Sequence, residues 1–215
     1  MSIGSLGIKV GMTQIFDEKN ACIPVTLIKI GPCIVTQIKT IASDGYNAIQ
    51  LGFDISQNNK YGLKKLSTTK ALQGHLKKSG VPDCHYLKEY QVNQPENFEL
   101  GQKFDITNFS SAQYVDVRGK TIGKGFAGTV KRYHFGRGPM THGSKNHREP
   151  GSIGAGTTPG RVYPGKRMAG QLGGKQITLK RLTVLRVDQE ENLLVVKGSV
   201  PGKPGNLISL TPCLS

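Results

Sequence analysis

Gly123-Lys124-Gly125-Phe126-Ala127-Gly128 satisfies the GxGxxG pattern of a dinucleotide-binding turn, and Glu149 follows 21 residues after Gly128. That chemistry needs a strand before the turn, a helix after it, and an acidic residue at the end of a second, parallel strand. Tyr114 to Val117 can supply the first strand. Glu149, however, sits in Asn146-His147-Arg148-Glu149-Pro150-Gly151, where no strand can be argued. Gly160-Arg161-Val162-Tyr163-Pro164-Gly165-Lys166 likewise fits GxxxxGK, but Arg167 stands where a magnesium-binding Ser or Thr is required. His134, His142 and His147 have zinc-ligand chemistry, yet their neighbours are Arg, Lys and Gly, whose charge repels a dication. Cys22, Cys33, Cys84 and Cys213 form no CxxC, which argues against a zinc ribbon or a disulfide framework and for a reducing compartment. No GxSxG occurs, and no Cys or Ser is visibly matched with a His and a carboxylate. The expectation is no catalytic residue, no metal, no cofactor and no small-molecule substrate.

What the residue types do support is docking. Arg and Lys neutralise phosphates, glycine lets the backbone approach phosphate oxygens and sugar hydroxyls, and aromatic rings stack on bases. From Arg118 to Arg181 there are 14 Lys and Arg against one acid, Glu149, together with 15 of the 28 glycines. The rest of the chain carries 15 basic and 13 acidic side chains, so nearly all of the +15 formal charge lies in this block. A face that is only solvated would mix the signs. The candidate contacts to a polyanion are Lys120, Lys124, Lys131, Arg132, Arg137, Lys145, Arg148, Arg161, Lys166 and Arg167. His142 and His147 join them as stacking or phosphate-binding imidazoles, and Phe126, Tyr133, Phe135 and Tyr163 interleave with the charge. No recognition helix for a DNA major groove is apparent, so folded RNA is the partner these residues fit.

The elements that must carry this block are short strands. Ile3 to Val10, Thr13 to Phe16, Ile23 to Ile30, Cys33 to Lys39 and Asn47 to Phe53 are rich in β-formers, with punctuation at Gly11, Asp17 to Asn20, Gly31-Pro32 and Asp44-Gly45. Lys70 to Lys78 reads as a helix capped by Thr69, and Phe126 to His134 as a second. Gln176 to Val187, Leu193 to Lys197 and Leu207 to Thr211 return to strand. The fold expected is mainly β: a small β-barrel body from residues 1–117 and 177–215, with short helices and a small helical insertion near 60–90, and a long, irregular basic central extension over 118–176. From Gly136 to Gln176 there are 11 glycines and 7 Lys and Arg, with too few apolar side chains to offset the entropy of ordering, so this stretch is expected either to be disordered or to be ordered by a partner. Its midpoint is 156. The apex is therefore expected at Gly154-Ala155-Gly156-Thr157-Thr158, with each limb able to reach roughly 60 Å. Gly154, Gly156 and Thr157 complete the candidate interface.

Composition bounds the rest. A chain of 215 residues makes one large domain or two small ones, and 36% hydrophobic content with no Trp leans away from an ordinary enzyme. Uncharged stretches such as Ala21 to Ile28 are far shorter than the roughly 20 residues of a membrane span. The first residues lack the basic and apolar regions of a secretory signal and the look of a transit peptide, as expected of a protein that works where it is made or has lost its presequence.

Leu6-Gly7-Ile8-Lys9-Val10-Gly11-Met12-Thr13-Gln14-Ile15-Phe16, Gly123 to Lys131, Thr141-His142-Gly143-Ser144, and Pro159-Gly160 through Lys166-Arg167-Met168-Ala169-Gly170 closely resemble large-subunit ribosomal protein L-three of the bacterial type. The likeness runs from Ser2 to about Pro212, and Gly154 through Lys166 looks like its cyanobacterial and plastid branch. The resemblance implies a non-catalytic constituent of the large ribosomal subunit that binds large-subunit rRNA, neighbours other large-subunit proteins and supports an early assembly step. It further implies a central extension running toward the peptidyl transferase centre, and a plastid stroma or, alternatively, a bacterial cytoplasm. Many bacterial members carry an N-methylated glutamine near the tip, and the matching position here is Thr157, so that modification is expected to be absent. Composition alone also admits a free nucleic-acid chaperone or nucleoid-type protein, which would exchange freely instead of sedimenting with large subunits.

Overall fold

The structure, a computed structural model, describes residues 3–55, 68–110 and 112–213. Its strands are β1 (Ser5–Phe16), β2 (Cys22–Ile30), β3 (Cys33–Lys39), β4 (Ala48–Ile55), β5 (Cys84–Gln91), β6 (Lys103–Phe104), β7 (Tyr114–Lys120), β8 (Phe126–Ala127), β9 (Gly170–Gln171), β10 (Gln176–Asp188), β11 (Leu193–Lys197) and β12 (Leu207–Cys213). Three short helices join them: α1 (Ile41–Asp44), α2 (Lys70–Lys78) and α3 (Thr129–Tyr133). The chain divides into two compact units, residues 1–120 with 176–215, and Thr121–Lys175.

In the first unit six antiparallel strands pair in the order β1-β12-β7-β10-β11-β2, and β2 pairs back onto β1. Alternation along these strands sends Ile28, Ile30, Val115, Val117, Leu194, Val196, Ile208 and Leu210 into one buried cluster, joined by Ile106 and Phe109. A second sheet, β5-β4-β3-β6, packs a second cluster containing Leu6, Cys33, Val35, Ile49 and Leu51. Ile34, between Cys33 and Val35, points to the opposite face and meets Leu76 of α2. Each such side chain contributes roughly 1.5–3 kcal/mol by leaving water. The helix forms where its cap predicts: the Thr69 side chain accepts the Leu72 N–H at 3.4 Å.

Two expectations are corrected and one strand is added. Gly11 does not separate two strands, because β1 runs through it and a register shift between Lys9 and Gly11 absorbs one extra residue against β2. Asp44-Gly45 is not a bare turn, since Ile41–Asp44 makes one helical turn before it. Cys84–Gln91, for which the sequence predicts no strand, forms β5 and is held by its partner β4, with Ile49 opposite Tyr90. Positions 60–67 of the insertion expected near 60–90 lie outside the described residues. Among the described residues no helix is long and apolar enough to cross a membrane.

Within the first unit β7 and β10 pair directly, with Lys120 opposite Gln176, so the chain departs for residues 121–175 and returns at neighbouring strand ends.

Candidate nucleic-acid interface

The Thr121–Lys175 unit is organised by its two limbs hydrogen-bonding to each other. Thr121 N–H donates to the Lys175 carbonyl at 2.9 Å, Lys124 N–H to Leu172 at 2.8 Å, and Leu172 N–H to Gly125 at 2.9 Å. Next, β8 pairs with β9, Phe126 opposite Gln171 and Ala127 opposite Gly170. This pairing takes Phe126 and Ala127 out of the helix expected over 126–134, which is confined to Thr129–Tyr133. The GxGxxG run thus forms one side of an antiparallel ladder, not the turn of a parallel βαβ unit. Gly173, at φ 70°, is required here: a Cβ on it would lie 1.9 Å from the Ile122 carbonyl oxygen.

Above the ladder sits an aromatic and guanidinium cluster. The guanidinium carbons of Arg132 and Arg167 lie 5.0 and 5.7 Å from the centre of the Tyr133 ring, and Phe135 packs at 6.2 Å from that ring. Arg132 Nη1 also donates to the Met168 carbonyl at 2.6 Å. Tyr133 therefore positions two arginines from opposite limbs and is not a free stacking platform. Phe126 and Tyr163 are free, being 81% and 59% exposed. Thr129 is 2% exposed, and its hydroxyl lacks a partner among the described residues; nothing in the sequence marks it.

Beyond the cluster, order comes from isolated bonds. Gly138 N–H donates to the His147 carbonyl at 3.1 Å, while His147 Nδ1 lies 2.9 Å from the Pro139 carbonyl, so His147 is half-buried and braces a loop. Gly160 N–H donates to the Gly156 carbonyl at 3.0 Å, closing a tight turn in which Gly156 has φ 91°. A Cβ on Gly154 would lie 3.9 Å from the Arg161 carbonyl, so the chain reverses between them. The reversal is centred on Thr158, two residues beyond the midpoint, because the loop of residues 138–147 lengthens one limb.

The placement of the candidate residues follows. Lys120 ends β7 in the first unit and is exposed. Lys124, Lys131, Arg137, His142, Lys145, Arg148, Arg161, Lys166 and Arg167 are exposed, and Arg132 is partly covered by its contacts with Tyr133 and Met168. Gly154, Gly156 and Thr157 lie in a run, Arg148 to Ala169, in which every residue is exposed. Among the described residues no carboxylate lies within 4.0 Å of any Lys or Arg of 121–175; the ion pairs present are Lys39–Glu89 and Arg186–Asp188, both in the first unit. No cluster of three metal-ligating side chains occurs among the described residues. Chemically, this unit offers unpaired guanidinium and ammonium groups, open backbone amides and two free rings to a polyanion.

A glycine-rich, basic unit inserted between two paired strands of a β body defines the class of architecture, and comparison with known proteins gives the family. A family model described as ribosomal protein L3 matches residues 90–193. The chain is 57% identical over 213 residues to the large ribosomal subunit protein uL3 of Trichormus variabilis, covering 99% of this chain and 97% of that one. It is 57% identical over 212 residues to uL3 of Prochlorococcus marinus, covering 99% and 94%, and 55% identical over 214 residues to uL3c of Phaeodactylum tricornutum, covering 99% of both. The chain belongs to the ribosomal protein L3 family.

Proposed function

We propose that this chain is a structural, non-catalytic constituent of the large ribosomal subunit that binds large-subunit rRNA through residues 118–176 and sits among neighbouring large-subunit proteins. The observation that carries the reading is the run from Arg148 to Ala169, wholly exposed and free of internal ion pairs. Exposed backbone with few internal partners gains by bonding phosphate and ribose, and unpaired cations gain by displacing counterions. In this reading the six-stranded ring is the small β-barrel body, and residues 118–176 are the extension whose Gly156–Gly160 turn approaches the peptidyl transferase centre. Binding while the rRNA is still open would let the extension be enclosed as the RNA folds, which accounts for a role early in assembly. The cyanobacterial and plastid-type relatives favour a plastid ribosome, with a bacterial cytoplasm as the alternative.

The test is sedimentation of the tagged chain in extracts. It is expected to run with large subunits and to resist moderate salt washing. Free exchange into the soluble fraction would identify a nucleic-acid chaperone instead.

A further inference from the structure

The first unit holds a groove of about 520 Å³ lined by residues that include Lys88, Glu89, Asp116, Arg118, Thr178 and Thr211. Two acids and two bases share this groove, and the simplest expectation is that they pair. They do not. Glu89 is held by Lys39 at 2.8 Å and accepts from the Tyr46 hydroxyl at 2.8 Å. Asp116 Oδ1 accepts the Arg181 backbone N–H at 2.8 Å and the Cys213 thiol at 3.1 Å. Lys88 and Arg118 have no carboxylate within 4.0 Å among the described residues.

The strands fix these two cations in the groove. Arg118 on β7 stands in register between Thr178 of β10 and Ser209 of β12, so the three share one face. Ser209 is bonded to the Tyr90 hydroxyl at 2.8 Å, and Lys88 Nζ lies 5.6 Å over the Tyr90 ring. Burial pushes the Lys88 ammonium below its usual range, and the charge of Arg118 pushes it further. The chain thus holds Lys88 and Arg118 at one concave site with no direct ion pair to either, while Glu89 is taken by Lys39 and Asp116 is held by two uncharged donors.

We propose that this groove takes one phosphodiester of the RNA backbone, bound between the Lys88 ammonium and the Arg118 guanidinium, with the Thr178 hydroxyl as a neutral donor. The phosphodiester carries one negative charge on two accepting oxygens, which matches two cationic donors lining one groove. This is a contact of the first unit, outside Thr121–Lys175, although Arg118 begins the 118–176 span, and it rests on the reading that rRNA is the partner.

The experiment measures binding of the full-length chain to large-subunit rRNA across a salt series. Lys88→Gln, Arg118→Gln and the double variant are compared with the parent, and thermal unfolding of each verifies that the body is intact. Because both cations serve one phosphate, the double variant is expected to lower the salt slope by about 0.7–0.9, the value of one phosphate and not of two. Lys88→Arg is expected to restore it. In the complex, the Lys88 ammonium observed by NMR is expected to titrate at higher pH than in the free chain. A parent that binds with a steep slope, with the double variant unchanged and Lys88 unmoved, overturns the groove proposal and leaves the RNA reading standing. Loss of a neighbouring subunit protein with rRNA binding unchanged would assign the groove to a protein carboxylate and also overturn it. A parent that does not bind rRNA overturns both.

Discussion

Arg132 Nη1 donates to the Met168 carbonyl at 2.6 Å, joining the two limbs of the basic unit just above the β8-β9 pair. The same guanidinium lies 5.0 Å from the centre of the Tyr133 ring, so one side chain both crosslinks and stacks. Arg132→Lys keeps the charge but loses the planar fork, and it is expected to weaken this junction by about 1 kcal/mol. Hydrogen exchange at the Leu172 and Lys124 amides reads this as roughly fivefold lower protection, while the salt slope of RNA binding stays unchanged. Unaltered exchange would mean that the backbone ladder alone holds the limbs.

The salt response follows from the unpaired cations. With 14 basic side chains from Arg118 to Arg181 and one acid, binding to rRNA must release counterions. If roughly 6–10 phosphates are met, affinity falls on the order of a thousandfold or more between about 50 and 200 mM salt, by analogy with duplex binding. A filter-binding titration at several salt concentrations measures this, and a flat response removes the electrostatic basis of the reading.

Amide exchange in the free chain is expected to divide sharply. Between Phe135 and Ala169 four backbone-to-backbone hydrogen bonds are formed, donated by Gly138, Ser144, Gly160 and Lys166. Segments such as Ile23 to Ile30 and Leu182 to Val187 lie instead in the ladders of β2 and β10. Rapid exchange over 136–169 beside slow exchange in those strands is the expected map. Adding rRNA is expected to slow the first class.

Much of the body was readable in the sequence because its signals are local. The helix at Lys70–Lys78 announces itself through Thr69, Leu72 and Leu76, and Leu193 to Lys197 is a bare apolar run between turns. What escaped is what only a partner strand decides. Cys84-His85-Tyr86-Leu87-Lys88-Glu89-Tyr90-Gln91 has no β-branched residue, and it is a strand because β4 lies beside it. Phe126-Ala127 looked helical because Gly170-Gln171, its partner, is 43 residues further on. The charge of the basic unit was visible in composition, but the fixing of Arg132 and Arg167 on Tyr133, and the unpaired Lys88 and Arg118, depend on geometry that spacing does not encode.

Alkaline pH should destabilise the body through Cys33. Burial is the main cause that pushes its thiol from 9.0 up to about 11, opposed in part by its hydrogen bonding to the Leu6 backbone. A raised folded value means the neutral thiol is favoured by folding. The stability it contributes is full below pH 9 and is lost as pH rises toward about 11, where the folded thiol also ionises. The loss amounts to about 2–3 kcal/mol at one pKa unit per 1.36 kcal/mol. Denaturant unfolding at several pH values, parent against Cys33→Ala, isolates it. The variant starts lower by a constant cavity cost but shows a shallower decline over this window, and parallel curves would exclude the thiol as the source.

The turn at Gly156 is where docking and function should separate. No basic side chain lies between Glu149 and Arg161, so substitutions there remove no phosphate contact and should cost little RNA affinity. Gly154 and Gly156 differ, however. Gly156 has φ 91°, a conformation that L side chains rarely adopt, and its carbonyl accepts the Gly160 N–H that closes the turn. Gly154 is absent from the positive-φ positions, and a Cβ there meets only ordinary contact with Arg161. Gly156→Val is therefore expected to distort the turn at a cost of roughly 1–2 kcal/mol, whereas Gly154→Val is tolerated by the chain itself and tests only how closely RNA approaches. Thr157→Phe leaves the turn's glycine intact and adds bulk to the side that faces outward. Under the proposed function both Gly156→Val and Thr157→Phe assemble into large subunits but change puromycin reactivity and drug binding at the peptidyl transferase centre, through the RNA that the turn props. Assembly with unchanged reactivity and drug binding for both would place the functional end of the unit elsewhere. Failure of Thr157→Phe to assemble would show that the turn is needed for docking after all.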